Sequence, residues 1–358
     1  MISFQKSDQQ DNSVEYWSAK KVIALKNTQA ILLSKYDRQV LRNLNLIDNK
    51  TWKVFWFGRH VDYTLIHRLE NYKQLSWYID RKNSGRDYEY ERASKRKDAT
   101  QLENLKSLNQ INSRYGECIF DTPPKSVYIL GTLGSYSGLR ILVNEGISEN
   151  NKSFGILIAQ FFMEPFCFYR KCYGLKLKIQ DINLYKLLLG IIWSSFTRYY
   201  FFNTTANWGL WHHKILLDEL LQLPVILDTN HPMANGIINI VDKLRTYNPQ
   251  KQDIIHPDGV PEAEIEAQRR KWEAELDEAV FELYGLTEEQ KDLIRDCCEV
   301  TMPFFYQPYD SIGAQPAVKK GDYSWIKKYV LIFARRWNPS NFKLIHLWVD
   351  LRKDNAPH

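Results

Sequence analysis

Residues 184–202 form the most apolar stretch of the chain and constrain its fold more than any other. The stretch carries only two charges, Lys186 and Arg198. Its uncharged core, 187–196, is about half of the roughly 20 residues that a membrane-spanning helix needs. It reads as a buried helix over about 183–201, capped by Asp181, and no membrane partner is expected. Burying it takes a sizeable core. A chain of 358 residues, 44% hydrophobic and 25% charged, has an ordinary globular composition and length for two or three domains of about 100–200 residues each. Wholesale disorder, a collagen repeat and a disulfide scaffold are excluded.

The rest of the chain alternates element signals with breaks. Residues 51–57 (TWKVFWF) are β-branched and aromatic and read as a buried strand ended by Gly58. Residues 62–72 place Leu65, Ile66 and Leu69 at helical spacing. After the linker-like Thr122-Pro123-Pro124, residues 140–143, 155–162 and 166–173 read as strands, with Asn150-Asn151-Lys152 at a hairpin tip. Residues 203–209 are a polar break, 212–221 a helix stopping before Pro224, and 231–248 another helix. Pro261 opens a long helix whose Ile265, Trp272, Leu276, Val280 and Leu283 share one stripe. Gly285 ends it, and Thr287 with Gln290 forms a capping box for the next helix. The tail reads as a helix over 324–337 and a strand over 342–349.

The first twelve residues are polar, with no secretory h-region. The odd set Cys118, Cys167, Cys172, Cys297 and Cys298 has no regular framework, so free thiols in a cytoplasm are expected.

The net charge of +6 hides a split. Residues 261–299 hold thirteen Asp/Glu against five Lys/Arg, a net of −8, so the remaining body carries +14. A basic body points to a polyanion, because Lys/Arg contacts to phosphate release condensed counterions. The densest basic run is Arg81, Lys82, Arg86, Arg92, Lys95, Arg96 and Lys97, interleaved with Tyr88 and Tyr90.

Catalytic signatures are missing. Residues 131–138 (GTLGSYSG) are glycine-rich but match neither the dinucleotide nor the P-loop spacing. Glu289-Gln290-Lys291 matches the minimal carboxylate-x-lysine of some metal nucleases, yet it falls in an expected helix with no partner Asp. No nucleophile–base pair and no paired Cys/His metal set emerges.

One segment is more specific. Asn203-Thr204-Thr205-Ala206-Asn207-Trp208-Gly209, followed by Asp218-Glu219-Leu220-Leu221-Gln222-Leu223-Pro224, resembles the "SSWG, then DELL-x-LP" stretch of the C-terminal target-recognition region of type II and type IIG adenine-specific DNA methyltransferases. Three further pieces agree in order. Trp52 to Arg59 with Asp62-Tyr63-Thr64-Leu65 is similar to that family's strand–Gly–"RD…LL" entry. Arg140-Ile141-Leu142-Val143-Asn144-Glu145-Gly146-Ile147 is similar to its "KVLIxRGI" strand. The "ELDEAVFELYGLTEE" run from Glu275 resembles its "ELDELVYELYGLTEEE" helix, which also occurs in related specificity subunits. The likeness covers the chain from about Tyr16 onward. The chain departs from the family in lacking the FxGxG cofactor loop and the (N/D)PPY tetrapeptide; Asp121-Thr122-Pro123-Pro124 is not that tetrapeptide.

The resemblance implies an α+β recognition domain with a mixed sheet and supporting helices, including a long amphipathic helix. It implies a division into an N-terminal α/β part with a basic loop (1–125), a target-recognition core (126–250) and an acidic helix with an α/β tail (251–358). It implies sequence-specific binding of double-stranded DNA, no catalytic residue and no cofactor in this chain. S-adenosylmethionine would belong to an associated methyltransferase domain or subunit, and the chain itself would be a split product, a separate subunit or a fragment. The basic run is the candidate phosphate contact, its alternative being a solvated loop. Asn203, Thr204, Thr205, Asn207, His212, His213 and Lys214 are the candidate base contacts, the alternative being a structural connector. Trp272, Leu276, Val280 and Leu283 are the candidate partner-docking stripe, the alternative being an intramolecular core. The competing functions are a divergent methyltransferase or nuclease with its own activity, and a protein–protein scaffold.

Overall fold

A computed structural model describes residues 13–20, 33, 37–42, 48–89, 97–108, 111, 113–116, 118–148, 154–169, 172–209, 212–253 and 255–308. The tail elements expected at 324–337 and 342–349, and the hairpin tip at 150–152, lie outside them. The strands are β1 (Ser13–Trp17), β2 (Arg38–Arg42), β3 (Gly85–Arg86), β4 (Lys97–Asp98), β5 (Lys106–Leu108), β6 (Phe120–Asp121), β7 (Ser126–Val127), β8 (Arg140–Ile147), β9 (Leu157–Phe162), β10 (Phe166–Phe168) and β11 (Cys172–Leu175). The helices are α1 (Asn49–Phe57), α2 (His60–Leu69), α3 (Leu75–Tyr78), α4 (Ile182–Trp193), α5 (Ser195–Thr204), α6 (Leu217–Leu220), α7 (Ala234–Thr246), α8 (Glu262–Leu283), α9 (Glu288–Asp296) and α10 (Met302–Tyr306).

The fold is α+β. Its centre is an antiparallel sheet in the order β3-β11-β8-β9. Alternation along β8 explains its place. Ile141, Val143 and Ile147 join a large core shared with the helices, while Leu142 points into a smaller core with Tyr88, Leu108, Val127 and Phe168. A strand covered on both faces reads as a continuous apolar run. The smaller core is closed by a mixed sheet, β10-β5-β6, and by the β4–β7 pair. Three pairings, β3·β11, β4·β7 and β5·β10, join residues on either side of position 125.

The apolar run lies in the large core as two helices rather than one. Ser194 turns extended between α4 and α5. Three donors satisfy the Ile191 carbonyl at the end of α4: the Ser194 N–H, the Ser194 hydroxyl at 2.7 Å and the Thr197 hydroxyl at 2.6 Å. The Asp277 carboxylate of α8 accepts the Ser195 N–H at 2.7 Å, placing a negative charge at the start of α5. Gly190 lets α4 approach α7 closely, since a Cβ there would sit 2.5 Å from Ile237 Cγ2.

Residues 51–57 are helical, not a strand. Asp48 caps α1 by accepting the Lys50 N–H at 2.9 Å, and Thr51, Val54 and Phe55 are buried at i, i+3 and i+4. The helix expected over 212–221 is only the single turn α6. Beyond α9 the chain widens into a π-turn over Cys297–Thr301, where Met302 N–H donates to the Cys297 carbonyl five residues back. Pro303, which has no N–H to give, follows inside α10.

α8 is a 22-residue helix whose Leu276, Val280 and Leu283 are at most 3% exposed within the chain's own core. Trp272 packs edge-on against Tyr247. This corrects the docking stripe at three positions: Leu276, Val280 and Leu283 are covered by the large core and present no face to a partner, while Trp272 is half-buried against it. Part of the segment's charge is paired internally as well. The 4%-exposed Lys291 pairs with Glu282 and Glu288 at 2.5 and 2.7 Å, and Arg295 with Glu278 and Asp292. Lys291 is thus the hub of a helix–helix ion network, not part of a nuclease motif.

All five cysteines are free thiols. No helix among the described residues is long and apolar enough to cross a membrane, and no cluster of His, Cys, Asp and Glu among them can hold a metal ion.

Candidate nucleic-acid interface

The polar stretch after α5 is fastened at both ends by one carboxylate. Glu219 accepts the Ala206 N–H at 2.7 Å through one oxygen and the Leu216 N–H at 2.9 Å through the other. Trp208, fully buried, donates from its indole to the Tyr306 hydroxyl at 2.9 Å and lies edge-on to Phe202. Lys53 of α1 donates to the Trp208 carbonyl at 2.6 Å, and burial pushes its amine down to about 7. The chain then lies along the end of β8: Ile147 N–H donates to His213 O, and Ile215 N–H to Glu145 O, both at 2.9 Å. Lys214, between them, pairs with Glu145 at 2.9 Å.

That docking opens a cleft of about 750 Å³ over the edge of the central sheet. Arg86 of β3 lines one side and Lys214 another, with Asp87, Glu89 and Glu145 also in the wall. Two sequence segments proposed independently as DNA contacts therefore meet here. The wall is not a simple phosphate cradle, because its carboxylates outnumber its cations. Glu145 is 9% exposed and engaged by Lys214, so it acts as the holder of that ammonium.

The structure sorts the sequence candidates. Arg81 and Lys82 are exposed on the turn after Asp80, whose carboxylate is turned inward to the Lys82 N–H and Asn83 Nδ2. Arg86 and Lys97 are exposed on strands; Arg92, Lys95 and Arg96 lie outside the described residues. Tyr88, interleaved with the basic run, is a core residue stacked on Tyr169 at 5.3 Å and bonded to Ser107. In the polar stretch two candidates are corrected. Asn203 and Thr205 are at most 2% exposed and bond back to their own helix, to Tyr199 O and Phe201 O. The Thr204 hydroxyl is likewise given to Tyr200 O at 2.7 Å, and the His213 ring packs against Phe305 and Tyr306. Such i−4 back-bonding spends the hydroxyl's one donor on its own helix. Thr204, Asn207, His212, His213 and Lys214 are at least partly exposed.

Sequence reasoning missed Lys53, Glu145 and Glu219, which hold the stretch in place. Glu219 had a signal: it is the acidic residue of the Asp218-Glu219-Leu220-Leu221 motif, three positions after Leu216, where a carboxylate reaches back to a helix's first N–H.

No family model matches the chain. No curated protein matches it. Among solved structures the chain is similar to the type IIG restriction endonuclease BpuSI, at 11% identity and a TM-score of 0.33, over 75% of this chain and 40% of that one. The chain thus spans two fifths of that enzyme's length.

Proposed function

We propose that the chain is a double-stranded DNA recognition module of a restriction–modification adenine methyltransferase, acting in the cytoplasm. It places the target duplex for a catalytic domain or subunit that carries S-adenosylmethionine. The observation supporting this reading is the convergence of Arg86 and Lys214, far apart in sequence, on one cleft; Asn207 and His212 lie on the same fastened stretch as Lys214. Lys and Arg heads set the register on phosphates, while Asn, His and Arg side chains read base edges. The four ordered sequence motifs support the family assignment, and the +14 body supports a polyanionic partner. Methylating an exocyclic adenine nitrogen requires the base to leave the stack, and a clamp on the flanking duplex serves that step. The ion pairs of Lys291 and Arg295 within the acidic segment fit its role as structural support.

The test is duplex binding by the full chain across a salt series. Affinity should fall steeply with salt, and Arg86→Ala and Lys214→Ala should each flatten the log–log slope by about 0.9 if each contacts a phosphate. Salt-independent binding, or none in the presence of the cognate methyltransferase, overturns the reading. Titration with S-adenosylmethionine tests the competing reading, since tight binding by the chain alone would make it an enzyme in its own right.

A further inference from the structure

Trp77 stands out on the surface. It is 62% exposed, on the single turn α3, although a tryptophan of this size is normally mostly covered. Two ammonium groups lie over its ring, Lys73 Nζ at 5.1 Å and Lys178 Nζ at 5.8 Å from the centroid, and Lys178 Nζ also donates to the Trp77 carbonyl at 2.5 Å. The backbone ties this corner to the cleft. Lys178 N–H donates to Tyr78 O at 2.9 Å and Asp80 N–H to Lys176 O at 2.8 Å. Ile79 bridges Leu177, and Gly85 and Arg86 pair with Gly174 and Tyr173. Residues 78–86 and 173–178 therefore form one irregular antiparallel ribbon. At about 3.3 Å per residue it runs roughly 17 Å from the Trp77 corner to Arg86 at the cleft. The turn carrying Arg81 and Lys82 projects between the two ends.

The carboxylates near this corner are engaged locally. Asp80 binds its own turn, Asp181 caps α4 through the Asn183 N–H, and Asp228 accepts the Asn230 N–H. An exposed indole flanked by cations favours an anionic partner that also has a flat π-face. A nucleic-acid strand with an unpaired base has both properties, since bases stack on aromatic side chains while Lys and Arg follow the backbone.

We propose that Trp77 is a stacking platform for an unpaired nucleobase, with Lys73 and Lys178 holding the phosphates on either side of it and Arg81, Lys82 and Arg86 tracking the strand toward the cleft. This rests on the DNA-recognition reading and extends it from paired duplex to an unstacked base near the target site.

The test compares a fully paired duplex with the same duplex carrying a short single-stranded bulge, both labelled, binding to the full chain at fixed salt. The wild type should prefer the bulged probe. Trp77→Ala should weaken bulged-probe binding about tenfold, and leave the paired probe within about twofold. Trp77→Phe should keep most of the preference, and the exposed position should leave the melting transition unchanged. Equal binding of both probes by Trp77→Ala and wild type alike refutes the platform but not DNA recognition. Failure of the wild type to bind either probe refutes the recognition reading itself. Trp77-dependent binding to anionic phosphatidylserine vesicles, without discrimination between the probes, overturns the proposal in favour of a membrane surface.

Discussion

The Lys214–Glu145 pair separates a DNA-facing cleft from a merely structural one. The two side chains are 2.9 Å apart, with 31% and 11% of their surfaces exposed. Breaking a pair that is neither fully exposed nor fully buried should cost roughly 1–2 kcal/mol of stability, between the values for surface and buried pairs. DNA affinity should follow charge instead. Relative to the wild-type pair, Glu145→Gln adds one positive charge to the cleft, Lys214→Ala adds one negative, and the double variant leaves the charge unchanged. A phosphate about 8 Å away, at an effective dielectric between 20 and 80, feels each unit as roughly 0.5–2 kcal/mol, or about 2- to 30-fold in affinity. Fluorescence anisotropy with a labelled duplex, paired with denaturant melts of each variant, should therefore order the affinities as Glu145→Gln above wild type, wild type near the double variant, and Lys214→Ala lowest. All three variants should lose some stability. If Glu145→Gln weakens DNA binding as much as Lys214→Ala does, affinity is tracking the loss of the pair rather than the charge, and the cleft does not face phosphate.

Three further perturbations test the fold that supports the cleft. Gly155 has φ +74°, and a Cβ there would lie 2.9 Å from Trp208 Cζ2; Gly155→Ala should destabilise by about 1–3 kcal/mol in a denaturant titration. Burial holds the Asp277 carboxyl up at about 6 against an ordinary 3.8, with the Ser195 N–H and Arg198 pulling the other way. Because the folded value is the higher one, its favourable contribution is complete below about pH 3.8 and lost as pH rises through about 6. Asp277→Asn, which keeps an acceptor for Ser195, should gain on wild type by up to about 3 kcal/mol between pH 4 and pH 8; a flat difference across that range would discount the buried charge. Lys291→Met leaves Glu278, Glu282 and Glu288 facing one another, so it should cost about 1–3 kcal/mol at low salt and recover part of that in high salt, as read by thermal melts at two ionic strengths.

Much of the helical framework was legible because helices announce their ends. Asp181, Pro261, Gly285 and the Thr287–Gln290 box each sit at a helix terminus. The apolar run was legible as core but not as two helices. Hydrophobicity says what is buried, whereas the break depends on Ser194 and Thr197 satisfying the Ile191 carbonyl and on Asp277 arriving from a distant helix. The strand expected at 51–57 failed for a related reason. A seven-residue window rich in Trp, Phe and Val has the composition of a buried strand, and only the Asp48 cap and the i, i+3, i+4 burial of Thr51, Val54 and Phe55 separate the two states.

The candidate site was legible as segments and not as side chains. Polarity drew attention to 203–214, but a polar residue at the end of a buried helix can spend its hydrogen bonds on that helix, as Asn203, Thr204 and Thr205 do. Nothing local in the sequence distinguishes such a residue from its exposed neighbours Asn207 and His212. The basic run was likewise started too late. Counting cations placed its start at Arg81, whereas the exposed aromatic is Trp77, four residues upstream, and the two lysines over its ring, Lys73 and Lys178, come from segments far apart in sequence. A surface assembled by strand pairing cannot be read as a run, and the Lys178–Tyr78 and Ile79–Leu177 pairings bring this one together. The features that would contact a ligand are therefore those that the sequence scatters, while the apolar stripe of the long helix, which the sequence clusters, is turned inward to hold the scaffold.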